Sequence, residues 1–193
     1  MQIATGTGPT LINAIWPRET GGVLRLVLLA IAGSVVMAVS AKIQVPMWPV
    51  PMTMQTFAVL VIGMAYGARL AGATLLLYLA EGAMGLPVFA SGAGMAYMAG
   101  PTGGYLLGFL IAAVLVGWLA ERGWDRNVAL TFLANLTGTA IIFAFGVAWL
   151  STIMGGTEKA IAAGFQPFIV GAIVKIALAA AVLPLIWKLL PRR

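Results

Sequence analysis

Long uncharged apolar runs divide this chain, and its few charged residues mark where the runs end. Leu24 to Ala41 is one such run, closed by Lys42. Ile43 to Ala68 carries no charge, but Pro46, Pro49 and Pro51 forbid regular helix at its start. A second helix is therefore predicted only from about Thr53 to Gly67. A third runs from Leu70 to about Leu86, with Glu81 inside it. The stretch from Gly82 to Gly104 is dense in glycine and contains Pro87 and Pro101, which reads as loop or re-entrant backbone. A fourth helix follows over about 105–120. The polar stretch Glu121 to Asn127 closes it, and a fifth covers 128–150. Met154 to Gly164 reads as loop, and a sixth helix spans 165–190. The pattern predicts an all-α fold of six transmembrane helices in one integral membrane domain, residues 1–193.

Composition agrees with the pattern. Hydrophobic residues make up 62% and charged residues 8%, against roughly 25% charged in soluble domains. The basic excess, +6 overall, falls between the runs and reads as a topology signal. Under six spans, Arg18, Arg25, Arg69, Arg122, Arg126, Lys188, Arg192 and Arg193 share one side. Lys42 and Lys159 lie on the other. By the positive-inside rule both termini are cytoplasmic, and the Pro-rich first loop and Gly-rich third loop face outward. No charged n-region leads into a short apolar core, so no cleaved signal peptide is expected. The sequence has no cysteine and no histidine. Thiol chemistry, Cys or His metal ligation and the commonest general base are thereby removed, which argues against an enzyme.

A few polar residues stand inside apolar surroundings and need a reason. Lys175 lies ten residues into the sixth helix, about 15 Å deep at 1.5 Å per residue. A buried ammonium there wants an anion, and a ligand carboxylate would suit; snorkelling or pairing with Glu81 are the alternatives. Gln55 opens the second helix, where its amide can donate and accept to a urea, an amide or a lactam, or equally cap the helix or bond a neighbouring helix. Asn135 and Thr139 share one face of the fifth helix and serve either a ligand or helix–helix contact. Trp48, Phe89 and Tyr97 add aromatic surface on the outer side, as pocket wall or interfacial belt. Ala30, Ser34 and Ala38 form a small-xxx-small stripe on the first helix, suited to close approach of another helix. The Gly-rich segment lacks the Gly-Lys-Ser/Thr ending of a phosphate loop.

Three ordered motifs carry a resemblance. Pro46 with Pro49-Val50-Pro51-Met52-Thr53-Met54-Gln55-Thr56, then Gly85-Leu86-Pro87-Val88-Phe89, then Gly100-Pro101-Thr102-Gly103-Gly104-Tyr105-Leu106-Leu107-Gly108-Phe109, together resemble the BioY family of biotin transporters. The resemblance implies the substrate-binding S-component of an energy-coupling-factor (ECF) vitamin transporter in the cytoplasmic membrane, with a biotin pocket near the outer face. It implies no cofactor, since biotin is the transported ligand, and it implies a transmembrane coupling subunit and ATPase subunits as partners. Gln55 and Lys175 match positions expected to bind biotin. Ala30 and Ser34 match the pair by which the first helix docks on the coupling subunit, with Ala38 continuing the stripe. The chain departs from the family at Ala172, where members often carry an acid, and near Ala93, where members can carry an asparagine. Ser91, Tyr97 or Asn135 are expected to substitute, with Trp48 as a further pocket residue. An S-component for another small vitamin is the competing reading.

Overall fold

A computed structural model describes residues 10–17 and 22–190. Arg18, Arg192 and Arg193, used above for topology, lie outside the described residues. The fold is helical apart from one two-residue pairing. In chain order it has α1 (Leu11–Ile15), α2 (Gly22–Lys42), β1 (Gln44–Val45), β2 (Met52–Thr53), α3 (Gln55–Tyr66), α4 (Ala68–Ala83), α5 (Gly94–Met98), α6 (Gly103–Ala120), α7 (Val128–Met154), α8 (Thr157–Gly164) and α9 (Ile169–Leu189). β1 and β2 pair antiparallel, Gln44 opposite Thr53 and Val45 opposite Met52, so the Pro-rich loop is a small hairpin.

Four stretches are long and apolar enough to cross a membrane: Gly22–Lys42, Gly103–Ala120, Val128–Met154 and Thr157–Leu189. Gln55–Tyr66 is apolar but short. Its 12 residues make a rod of about 18 Å. Burial explains how so short a helix holds: Ala58, Val59, Leu60, Ile62, Gly63 and Met64 are all covered, chiefly by α6, α4 and α9. The exposed surface of α2 is the reverse, with Val23, Leu24, Val27, Leu28, Ile31 and Val35 turned outward. In a chain this apolar, such a face suits hydrocarbon.

α6 and α7 form the most extensive helix pair, and glycine is the reason they can. A Cβ on Gly108 would stand 2.9 Å from the Cα of Ile142, so only the bare backbone fits. Capping sets the ends of α7. The Asn127 side chain accepts from Ala129 N (2.9 Å) and Leu130 N (3.3 Å), and Gly155 closes the helix in the left-handed region at φ 68°.

Two local expectations change. Met154 to Gly164 is not loop throughout, because Thr157–Gly164 folds as α8 with Glu158 in its first turn; an acid there complements the helix dipole. The gap left at residues 68–69 between the second and third predicted helices is not a turn either. Gly67 alone breaks the chain between α3 and α4 at φ 81°, so Arg69 already belongs to α4.

Candidate functional site

Local chemistry places the Pro-rich hairpin over the start of α3. Gln55 N donates to Thr53 Oγ1 (3.2 Å), and that hydroxyl donates to Gln55 Oε1 (3.4 Å). Gln55 Nε2 donates to the Tyr78 hydroxyl (2.7 Å), which donates to Val88 O (3.1 Å). One chain of bonds thus ties the hairpin, α3, α4 and the segment after α4. Lys42 Nζ donates to Phe89 O (2.6 Å) and Gln44 Nε2 to Ala90 O (3.4 Å), fastening the same segment to the end of α2. Phe89 then stacks on Tyr97 at 5.0 Å and meets Tyr78 edge-on at 5.5 Å. It also fills the space over Gly82, where any Cβ would collide with its ring.

These elements line a cleft with mostly apolar walls and a few polar groups, the make-up of small-molecule sites. Its walls are aromatic and aliphatic: Phe89, Tyr97, Tyr105, Leu106, Phe109, Ile142, Phe143 and Phe168. Val50, Pro51, Thr53, Gln55 and Thr56 supply the hairpin side, and Ala172 and Lys175 come from α9. The far wall is held by Tyr105, whose hydroxyl donates to Gly164 O at 2.7 Å and so joins α6 to the end of α8. Phe143 packs edge-on against Phe165 and Phe168.

Lys175 is the cationic group of this cleft. Its Nζ donates to Thr53 O (2.6 Å) and Thr56 Oγ1 (3.2 Å). An ammonium has three protons, so two neutral oxygens leave one donor and the whole positive charge uncompensated. The pairing with Glu81 does not form: Glu81 Oε2 instead accepts from Ser34 Oγ. An apolar cleft with one cation at its edge and one buried amide beside it can take an amphipathic carboxylate.

The expected residues divide. Lys175, Gln55 and Tyr97 line the cleft together. Trp48 does not: it sits at the hairpin tip, 87% exposed, while Val50 beside it is buried. Ser91 is exposed and lies outside the lining. Asn135 also lies outside it, fully buried on α7 with both side-chain polar atoms lacking partners, as does the Thr139 hydroxyl. On α2, Ser34 is 1% exposed and bonded to Glu81, so it faces α4 rather than a free surface; Ala30 and Ala38 are half-buried. Residues that sequence reasoning passed over include Thr53 and Thr56, which hold Lys175, and Tyr105, Phe109, Phe143 and Phe168. Thr53 and Thr56 had a signal as parts of the first motif, and Tyr105 and Phe109 as parts of the third, whereas Phe143 and Phe168 had none.

Comparison with known proteins follows the same outline. The BioY family model matches residues 13–192. The Biotin transporter BioY of Thermotoga maritima is 39% identical over 145 residues, 75% of this chain and 85% of that protein. The Probable biotin transporter BioY of Pyrococcus horikoshii is 41% identical over 143 residues, covering 74% and 83%. Among solved structures, the S-component for biotin from an ECF-type ABC transporter superposes with a TM-score of 0.75 at 21% identity, over 86% of this chain and 92% of that one. That likeness establishes the shared fold.

Proposed function

The chain belongs to the BioY family, and from that premise we propose that it binds biotin in the cleft and serves uptake as the S-component of an ECF transporter. The observation that carries the proposal is the ammonium of Lys175, held by two neutral oxygens at the edge of an aromatic cleft. The apolar ring and valeryl chain of biotin lie against Phe89, Tyr97, Phe143 and Phe168. The carboxylate takes the remaining proton of Lys175 in a charge-assisted hydrogen bond. Gln55 meets the ureido group directly or fixes the hairpin that does. Trp48, Ser91 and Asn135 fall outside this set. Ala172 lines the cleft three residues before Lys175, so the acid often present there in the family would face the same ligand. Its absence leaves the charge of Lys175 to the substrate.

The membrane arrangement supported best is six spans, α2, α3, α4, α6, α7 and α9, with α3 and α4 short and shielded by neighbours. Arg25, Arg69, Arg122, Arg126 and Lys188 then gather at the cytoplasmic end, while Lys42 and Lys159 lie at the outer end with the cleft. This puts both termini inside and the protein in the cytoplasmic membrane. The sequence carries no Walker-type phosphate loop, so ATP-driven uptake needs ATPase and coupling subunits. α2 is the docking face, through Ala30 and Ala38. Ala30→Trp should leave biotin binding intact and weaken capture of a coupling subunit. The test of the substrate is equilibrium binding of labelled biotin to purified protein, against its methyl ester and a panel of other vitamins. Tightest binding of biotin, with the ester far weaker, supports the reading. A second vitamin that binds more tightly overturns it.

A further inference from the structure

A groove at the end of the molecule opposite the cleft has no part in holding biotin. It runs between the start of α2, the α3–α4 junction and the end of α6. Leu26, Val27, Leu70 and Ala73 give it an apolar floor, and Arg25 and Arg69 stand in its wall.

Among the described residues no carboxylate hydrogen-bonds the Arg25 guanidinium. Arg25 is 2% exposed. Its Nη2 donates to Ile12 O (3.3 Å), Asn13 Oδ1 (3.0 Å) and Trp16 O (2.6 Å), all of them uncharged. Its Nε is buried without a hydrogen-bond partner. The one carboxylate in the groove, Glu121, turns an oxygen to the Ala68 amide at 3.0 Å. A buried guanidinium with a donor to spare is costly unless an anion completes it.

Position narrows the anion. The groove opens beside the exposed apolar face of α2, where Val23 and Leu24 are turned outward. A small soluble anion would leave the apolar floor uncovered. A zwitterionic headgroup would bring its own cation toward two guanidinium groups. A phosphodiester monoanion on acyl chains satisfies both features. We propose that this groove binds an anionic phospholipid, its phosphate at the exposed Arg69 with the buried charge of Arg25 behind it, and an acyl chain along Leu26, Val27 and Leu70. Ala30 lies at the groove's edge, so a coupling subunit docked there and the lipid exclude each other. The inference holds whether or not the cleft takes biotin.

Native mass spectrometry of the purified full chain tests it, with phosphatidylglycerol and phosphatidylcholine of identical acyl chains as probes. Phosphatidylglycerol should bind at least about fivefold more tightly, the worth of roughly one basic contact at an anionic surface. Arg69→Gln should abolish that preference, whereas Lys188→Gln, the same charge change on exposed α9 surface, should preserve it. Ala73→Trp should weaken both lipids by filling the floor while biotin binding stays unchanged. Equal affinity for the two lipids overturns the proposal. So does equal loss in Arg69→Gln and Lys188→Gln, which would make the attraction diffuse. Competition by inorganic phosphate alone, at concentrations comparable to the lipid, would assign a soluble anion and overturn the lipid.

Discussion

Lys175 and Arg25 are both cations drawn into an apolar chain, and both are held by neutral oxygens rather than carboxylates. They differ in what those oxygens belong to. Lys175 reaches across 122 residues to the hairpin and the first turn of α3, and its last proton overlooks a cleft. Arg25 takes all its acceptors from residues 12–16, with Trp16 also 5.7 Å from its guanidinium carbon. It therefore fastens α1 to α2 before any ligand is considered. The same device, a cation on neutral acceptors, tunes recognition in one place and local folding in the other. The oxygens that hold Lys175 belong to the wall of the cleft, whereas the turn that holds Arg25 is part of the scaffold.

The sharpest way to break the comparison is to remove each cation and ask what fails. Arg25→Met strands several buried oxygens, so unfolding should become easier by about 2 to 4 kcal/mol, read by denaturant titration in detergent. Lys175→Met should leave stability unchanged or raised, since it relieves a half-desolvated charge. Its effect should appear in recognition: discrimination between biotin and its methyl ester should fall roughly 10- to 150-fold, the worth of a charge-assisted hydrogen bond of about 1.5 to 3 kcal/mol. Equal weakening of biotin and ester would make Lys175 scaffold like Arg25 and end the distinction.

Gln55→Leu sharpens the same contrast from a neutral group. It deletes the bond to Tyr78, and an unsatisfied partner costs about 1 to 3 kcal/mol, part of it felt in stability. Biotin affinity measured by calorimetry should drop by roughly 5- to 30-fold on this account, and an unchanged affinity would remove Gln55 from the site. The smallest effect belongs to the buried acid at the cytoplasmic end. Burial pushes the Asp125 carboxyl above its ordinary range, against the opposing hydrogen bond from Trp187 Nε1 and the charge of Arg126. A raised folded-state value means the folded form holds its proton longer. Asp125 therefore supports stability at acid pH, and that support is lost as pH rises through the folded value. Melting between pH 4 and 8 should show a shallow decline with rising pH, absent in Asp125→Asn.

Helical character was legible because apolar runs bounded by charge leave few other structures available in a bilayer. The Lys175 charge was legible for the same reason: one lysine in a long apolar helix stands out. Its acceptors were not, because Thr53 and Thr56 have ordinary local roles as hairpin end and first helical turn. α8 escaped notice because Gly155 and Gly156 signal a turn, and the eight residues after it are too few for periodicity to show. Ser34 misled because small-residue spacing marks a close helix contact without saying which helix makes it. Here that helix is α4 of the same chain, through Glu81. Asn135 misled for a related reason. Burial inside a bundle and proximity to a ligand leave the same polar trace in a sequence.

The exposed indole at the hairpin tip carries one more consequence. Trp48 lies three residues past Val45 and four before Met52 on the loop between β1 and β2, and β2 ends in the very carbonyl that holds Lys175. A carboxylate that draws Lys175 away from Thr53 O acts on the same loop that carries the exposed indole. The protein thus carries its own fluorophore on the loop that holds the cation. Emission from a variant that keeps Trp48 and replaces the other five tryptophans would follow ligand arrival in real time, without a label and without the coupling subunits.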